Sequence, residues 1–95
     1  MSAARVEAIR ARLTAALAPS ALEIVDESHR HAGHAGARDG RGHFRVRIVS
    51  AAFAGMAPLA RHRAVYAILG ELMQTEIHAL AITAMTPDEQ ENSND

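Results

Sequence analysis

"HFRVRIV", at residues 43–49, is a run in which apolar and polar side chains alternate. In a β-strand, successive side chains point to opposite faces, so Phe44, Val46 and Ile48 would share one face. The opposite face would carry the polar side chains of His43, Arg45 and Arg47. This run therefore predicts a strand with one face in the core and the other face in water.

Outward from this strand, apolar spacing predicts the remaining elements. They are a helix from Ser2 to about Leu17, a strand at 22–27, a long mobile loop at 29–42, an irregular turn at 51–58, a helix at 59–73, a strand at 79–84 and a helical turn after Thr86-Pro87. The order α-β-β-α-β-(α) predicts an α/β (α+β) domain over residues 1–90, with a disordered polar tail at 91–95. We expect a three-stranded mixed sheet with helices on one face. The first two strands would pair antiparallel, and residues 43–84 would form a right-handed parallel crossover.

Composition restricts the possible functions. The 95 residues include 10 basic and 11 acidic side chains, for a net charge of -1, which argues against broad neutralisation of phosphates. Cysteine is absent, so a metal site in this chain must use histidine or carboxylate. No nucleophile elbow, zinc-protease motif or P-loop occurs, which predicts a binding protein and not an enzyme. No apolar run approaches the ~20 residues of a membrane span, and we expect a cytoplasmic protein without membrane contact.

Histidines are the clearest candidate ligands. His29, His31 and His34 fall in the predicted loop, and His78 stands just before the last strand. Imidazole is a common ligand of transition metals, although histidines in a solvated loop also bind metal adventitiously. His62 falls on the apolar stripe of the second helix, and we interpret it as a partly buried residue that hydrogen-bonds a nearby turn.

Arginines provide a candidate nucleic-acid site. Arg61 and Arg63 flank His62 near the start of the second helix and could contact phosphates. Arg45 and Arg47, on the polar face of the strand, could contribute. Pairing of these two strand arginines with Glu23 or Glu27 on the neighbouring strand explains them equally well.

Several segments together closely resemble the BolA-like family. The segments are Val25-Asp26-Glu27-Ser28, His43-Phe44, Phe53-Ala54-Gly55, Leu59 to Tyr66 with its Arg61-His62-Arg63 core, Ile77 to Ile82, and Thr86-Pro87. The match covers about residues 5–90. The resemblance implies a fold related to the type II KH domain, although the KH G-x-x-G loop is absent. It also implies an adaptor that shares a [2Fe–2S] cluster with a monothiol glutaredoxin, in cluster trafficking, maturation or iron sensing.

The resemblance also implies the cluster ligands. His78 of the Ile77-His78-Ala79-Leu80 motif corresponds to one ligand, and His31 to the loop ligand, with His34 or His29 as alternatives. The cysteines of glutaredoxin and of glutathione would complete the set, and the isolated chain, a monomer or weak dimer, would carry no cluster. The alternative function is a DNA-binding transcriptional regulator that uses the Arg61–Arg63 region.

Overall fold

The computed structural model describes residues 2–28 and 41–93. Over these ranges the elements are α1 (Ser2–Leu17), β1 (Ala21–Asp26), β2 (Gly42–Val49), a 3-10 turn (Ala51–Phe53), α2 (Pro58–Leu69), α3 (Leu72–Thr75), β3 (Ile77–Met85) and α4 (Pro87–Ser93). This order confirms the predicted α-β-β-α-β-(α) arrangement and adds one short helix, α3. Each helix in the described ranges is too short or too polar to cross a bilayer.

The three strands form one mixed sheet in the order β1-β2-β3. β1 pairs antiparallel with β2, and β2 pairs parallel with β3, as the sequence predicted. β2 is the central strand, and its alternation has the expected result. Phe44, Val46 and Ile48 are buried, at 3%, 0% and 0% exposure, whereas Arg45 on the opposite face is exposed.

The core lies between the helices and one face of the sheet. Its buried members come from α1, β2, the 3-10 turn, α2, α3 and the start of β3: Ile9, Leu13, Phe44, Val46, Ile48, Phe53, Val65, Leu69, Leu72 and Ile77. Ile9 and Leu13 are four residues apart, the spacing that places two side chains on one helix face. The core therefore uses the predicted face of β2.

The second helix is shorter than predicted. The sequence pattern favoured a helix to Met73, but α2 ends at Leu69, and α3 begins at Leu72. Gly70 separates them with a φ of +54°, a backbone conformation that side chains disfavour, while its N–H still donates to the Tyr66 carbonyl at 2.9 Å. The break does not remove Leu72 from the core, and it leads the chain into Ile77 at the start of β3.

The C-terminal helix is longer than predicted. α4 continues to Ser93, so residues 91–93 are helical where the sequence predicted a disordered tail. A reciprocal pair of bonds caps this helix. The Glu89 N–H donates to the Thr86 hydroxyl at 3.2 Å, and the Thr86 N–H donates to the Glu89 carboxylate at 2.9 Å. This capping box, with Pro87 as the first helical residue, gives a polar sequence a defined helical start.

Candidate functional site

His78 lies at an irregularity in the pairing of β2 with β3. Gly42 pairs with Ile77, and His43 pairs with Ala79, so His78 is an extra residue with no pairing position on β2. Such a bulge interrupts the alternation of a strand and redirects side chains. Ile77 is 0% exposed, while His78 and Ala79 are both exposed. The bulge thus holds the His78 imidazole outside the core, within β3.

A second imidazole accompanies His78. The ring centroids of His43 and His78 are 5.1 Å apart, and the ring planes are inclined by 49°. His43 is half-buried at the start of the central strand, whereas His78 is exposed on an edge strand. The parallel register of β2 and β3 produces this proximity. The sequence placed His43 on the polar face of its strand but did not indicate that it neighbours His78.

The described ends of segment 29–40 are anchored beside this histidine pair. Ser28, the last described residue before the segment, accepts a bond from the His43 N–H at 3.0 Å through its hydroxyl. The Ser28 N–H donates to the Asp26 carboxylate at 2.9 Å, and the His43 carbonyl accepts from the Glu27 N–H at 2.8 Å. On the other side of the segment, Arg41 contacts His78 directly. Both ends therefore lie close to the exposed imidazole.

The predicted loop ligands fall in this segment. His29, His31 and His34 lie outside the described residues, so their positions stay predictions. Among the residues that the structure describes, no group of three or more histidine, aspartate or glutamate side chains is arranged to hold a metal ion. Within those ranges, the candidate site consists of His78, the adjacent His43 and the anchored ends of segment 29–40.

Arg61 has a structural role that the sequence analysis missed. It is only 8% exposed, its Nε donates to the Met56 carbonyl at 2.9 Å, and one terminal nitrogen donates to the Ala84 carbonyl at 3.1 Å. The guanidinium also makes a bidentate contact with the Glu89 carboxylate, at 2.6 and 3.0 Å, and lies 5.9 Å from the centre of the Phe53 ring. Arg61 thus ties the start of α2 to the end of β3 and to α4.

This contact shifts the ionisation of both partners. The hydrogen bonds from Arg61, with a further bond from the Thr86 N–H, lower the pKa of Glu89 to about 2. The bond to Glu89 raises the pKa of Arg61 above its ordinary value. Both groups stay charged at neutral pH. Because its donors are engaged inside the protein, Arg61 has little capacity left to contact a phosphate, and only Arg63 of the predicted pair is exposed.

The helix face also differs from the prediction around His62. The buried positions of α2 are Arg61, Val65 and Leu69, spaced four residues apart, while Tyr66 is 43% exposed. His62 is half-buried, as expected, but its side chain makes no hydrogen bond within the described part of the chain. The predicted bond to a nearby turn is therefore absent there.

The carboxylate of Glu89 makes burial of Arg61 possible, because a paired and hydrogen-bonded charge escapes most of the cost of burial.

Arg45 and Arg47, on the polar face of β2, lie beside acidic residues, as the pairing interpretation predicted. Arg45 forms a salt bridge with Glu27 of 3.1 Å, in which the Glu27 side chain is 15% exposed and that of Arg45 is 59% exposed. Arg47 lies opposite Glu23 in the register of β1 and β2. The polar face of the sheet thus places positive and negative side chains next to each other, and it is not a uniformly basic surface.

These features define a small α/β domain whose candidate metal-binding group is an exposed imidazole on a bulged edge strand. The sequence model of the BolA-like protein family matches residues 13–89, and the chain belongs to this family. The resemblance noted in the sequence is thereby confirmed.

Relatives and solved structures agree with this assignment. The chain is 51% identical to BolA-like protein 1 of Mus musculus over 80 residues, which are 84% of this chain and 56% of the mouse protein. The chain thus spans little more than half the length of that relative. It is 44% identical over 89 residues to the DNA-binding transcriptional regulator BolA of Escherichia coli, covering 94% of this chain and 82% of that protein. The structure of the BolA domain of SufE1 from Arabidopsis thaliana matches with a TM-score of 0.80 and 42% identity, over 90% of this chain and 94% of that domain.

Proposed function

We propose that this protein is an adaptor that holds a [2Fe–2S] cluster jointly with a monothiol glutaredoxin and glutathione. His78 would be the ligand held on the bulged strand β3, and His31 the ligand from segment 29–40. The complex would act in the cytoplasm, in cluster trafficking, maturation or iron sensing. Likeness to the BolA domain of SufE1, part of a SufE-like protein, supports an iron–sulfur role. The exposed imidazole at the bulge carries the proposal.

The residues present suit such a cluster. His78 is exposed and held on a strand, so it can meet a ligand at the surface without unfolding the domain. Two histidines from this chain would leave coordination positions for the cysteines of glutaredoxin and glutathione, and this chain contains no thiol. Imidazole in place of thiolate reduces the negative charge at iron and raises the reduction potential, as in Rieske centres.

Chain length allows a loop histidine to reach the site. The Ser28 hydroxyl accepts a hydrogen bond from the backbone N–H of His43. The ring centroid of His43 is 5.1 Å from that of His78. An extended chain spans at most about 3.3–3.6 Å per residue, so His31, three residues beyond Ser28, can lie up to roughly 10 Å from it. His29 and His34 can also reach the site. The choice of His31 comes from the family resemblance, and the other two stay alternatives.

Substitution of His78 tests the proposal. The chain would be coexpressed with a monothiol glutaredoxin, and the purified complex measured by iron content and by visible absorption and circular dichroism. We expect His78→Ala to remove the visible spectrum while its far-UV circular dichroism stays unchanged. Arg63→Ala, at another exposed position, is the matched control and should retain the cluster. A His78→Ala complex with full iron content and unaltered absorption would refute the assignment.

The same assay identifies the loop ligand. We expect His31→Ala to bleach the complex, while His29→Ala and His34→Ala retain most of the cluster at equal protein concentration. Selective loss in the His34 variant would move the assignment to that residue. Equal retention in all three variants would exclude a single required ligand in this segment.

DNA binding is the second candidate function. Similarity to the E. coli protein named a DNA-binding transcriptional regulator favours it. On this chain, the Arg61 guanidinium is engaged with Glu89 and backbone carbonyls, so Arg63 would be the principal phosphate contact. Retention of a defined DNA duplex at physiological salt, weakened by Arg63→Ala but not by His78→Ala, would support this function over the first.

A further inference from the structure

Arg41 bridges two groups at the candidate site. One terminal nitrogen donates to the carbonyl of Gln74 at 3.3 Å, and the other lies 3.3 Å from Nδ1 of His78. Gln74 belongs to α3, the short helix directly before β3. The fork of the guanidinium therefore spans from the end of this helix to the exposed imidazole.

The chemistry of the two side chains determines the direction of the second bond. A guanidinium carries only N–H donors and keeps its proton in proteins. Nδ1 of His78 must then be the acceptor, and a neutral imidazole whose Nδ1 accepts carries its proton on Nε2. In this arrangement Arg41 occupies the nitrogen with the free electron pair, and the other nitrogen is protonated.

Neither nitrogen of His78 is then ready to bind a metal. Ligation through Nδ1 requires that the guanidinium leave. Ligation through Nε2 requires that its proton move to Nδ1, where the resulting N–H would face the donors of Arg41. We propose that Arg41 is a positioning residue that sets the tautomer of His78 and competes with a metal ion for this imidazole. Arg41 must then leave Nδ1 before His78 binds the metal. That the metal belongs to an iron–sulfur cluster rests on the proposed function.

The tautomer provides a test that needs no cluster. Long-range ¹H–¹⁵N spectra of the isolated chain, recorded at an alkaline pH where imidazoles are neutral, report which nitrogen of His78 carries the proton. We expect the Nε2–H form to predominate in the unsubstituted chain and a mixture of both tautomers in Arg41→Ala. Arg41→Lys keeps the charge but lacks the fork, and it should resemble Arg41→Ala. An identical His78 spectrum in all three chains would overturn the proposal.

Zinc ion alone then probes the competition. Titration followed at the His78 resonances should show about 2- to 10-fold tighter binding in both Arg41 variants, the range expected when one exposed hydrogen bond is removed. If only Arg41→Ala binds more tightly, the charge and not the bridge is responsible, and the proposal fails. In a separate experiment, the unsubstituted chain is combined with glutaredoxin. Failure to form a coloured complex there refutes the proposed function, whereas the tautomer and zinc results still decide the role of Arg41.

Discussion

Gly42→Ala tests how tightly the candidate site is joined to the core. A Cβ atom added at Gly42 would lie 2.6 Å from Cε2 and 2.8 Å from Cζ of Phe44, and 2.7 Å from the Ser28 hydroxyl. Real Cβ atoms essentially never approach other atoms so closely, so at least one neighbour must move. Phe44 is 3% exposed and belongs to the core, and Ser28 accepts a bond from His43. Neither neighbour can move without cost.

Insertion of extra methyl volume into a packed site costs typically about 1–3 kcal/mol. For a domain of this size, each kcal/mol lowers the melting temperature by roughly 4–8 °C. We therefore expect Gly42→Ala to lower the free energy of unfolding by about 1–3 kcal/mol. Chemical denaturation, followed by far-UV circular dichroism, measures this change directly, and thermal unfolding provides an independent check.

Two companion variants make the cause explicit. Gly55 has open space around its Cβ position but a φ of +79°, so Gly55→Ala reports backbone strain without a clash, at roughly 1 kcal/mol. Adding Ser28→Ala to Gly42→Ala removes the hydroxyl contact and leaves the Phe44 contacts, so the two substitutions should be less than additive. A Gly42→Ala protein with an unchanged denaturation midpoint would show that the packing described for this site is wrong.

Two further predictions concern α2 and α4. Glu89 has a pKa of about 2 in the folded chain, below its ordinary value of 4.5, so its stabilising contribution is complete above about pH 4.5 and is lost as the pH falls towards 2. The melting temperature of Glu89→Gln should lie below that of the unsubstituted chain at neutral pH, and the difference should shrink as the solution is acidified. A constant difference over that range would contradict the ion pair with Arg61. For His62→Ala, we expect a loss of less than about 1 kcal/mol and an unchanged cluster spectrum, since no hydrogen bond within the described ranges is broken. A larger loss of stability in a denaturant titration would contradict this prediction and show that His62 has a greater structural role.

The sequence predicted the sheet well because its signals are local. Alternation within residues 43–49 is sufficient to identify a strand whose Phe44, Val46 and Ile48 are buried, as the structure shows. On the other face Arg45 is exposed, but His43 and Arg47 are half-buried and Val49 is buried. Helical spacing likewise predicted α1 to its last residue, Leu17. The break at Gly70 was not predicted, because Leu72 and Met73 continue the apolar spacing of α2 across the glycine.

Residues that depend on distant partners were harder to predict. An arginine near the start of a helix ordinarily lies in water, and burial of Arg61 becomes favourable only with Glu89, 28 positions later. The proximity of His43 to His78 depends on the pairing of two strands separated by α2 and α3. One local signal was available for α4, since Thr86 and Glu89 have the spacing of a capping box before a polar helix.

Core packing and ligand exposure are linked at the bulge of β3. Ile77 and Leu80 both contact the core although they are three residues apart, an odd separation that a regular strand would place on opposite faces. One extra residue must therefore be accommodated between them. Since His78 is the residue without a pairing position, the adjustment that brings both apolar side chains inward also leaves the imidazole outward, beside Arg41 and His43. The position of the candidate ligand is thus linked to how the core is packed.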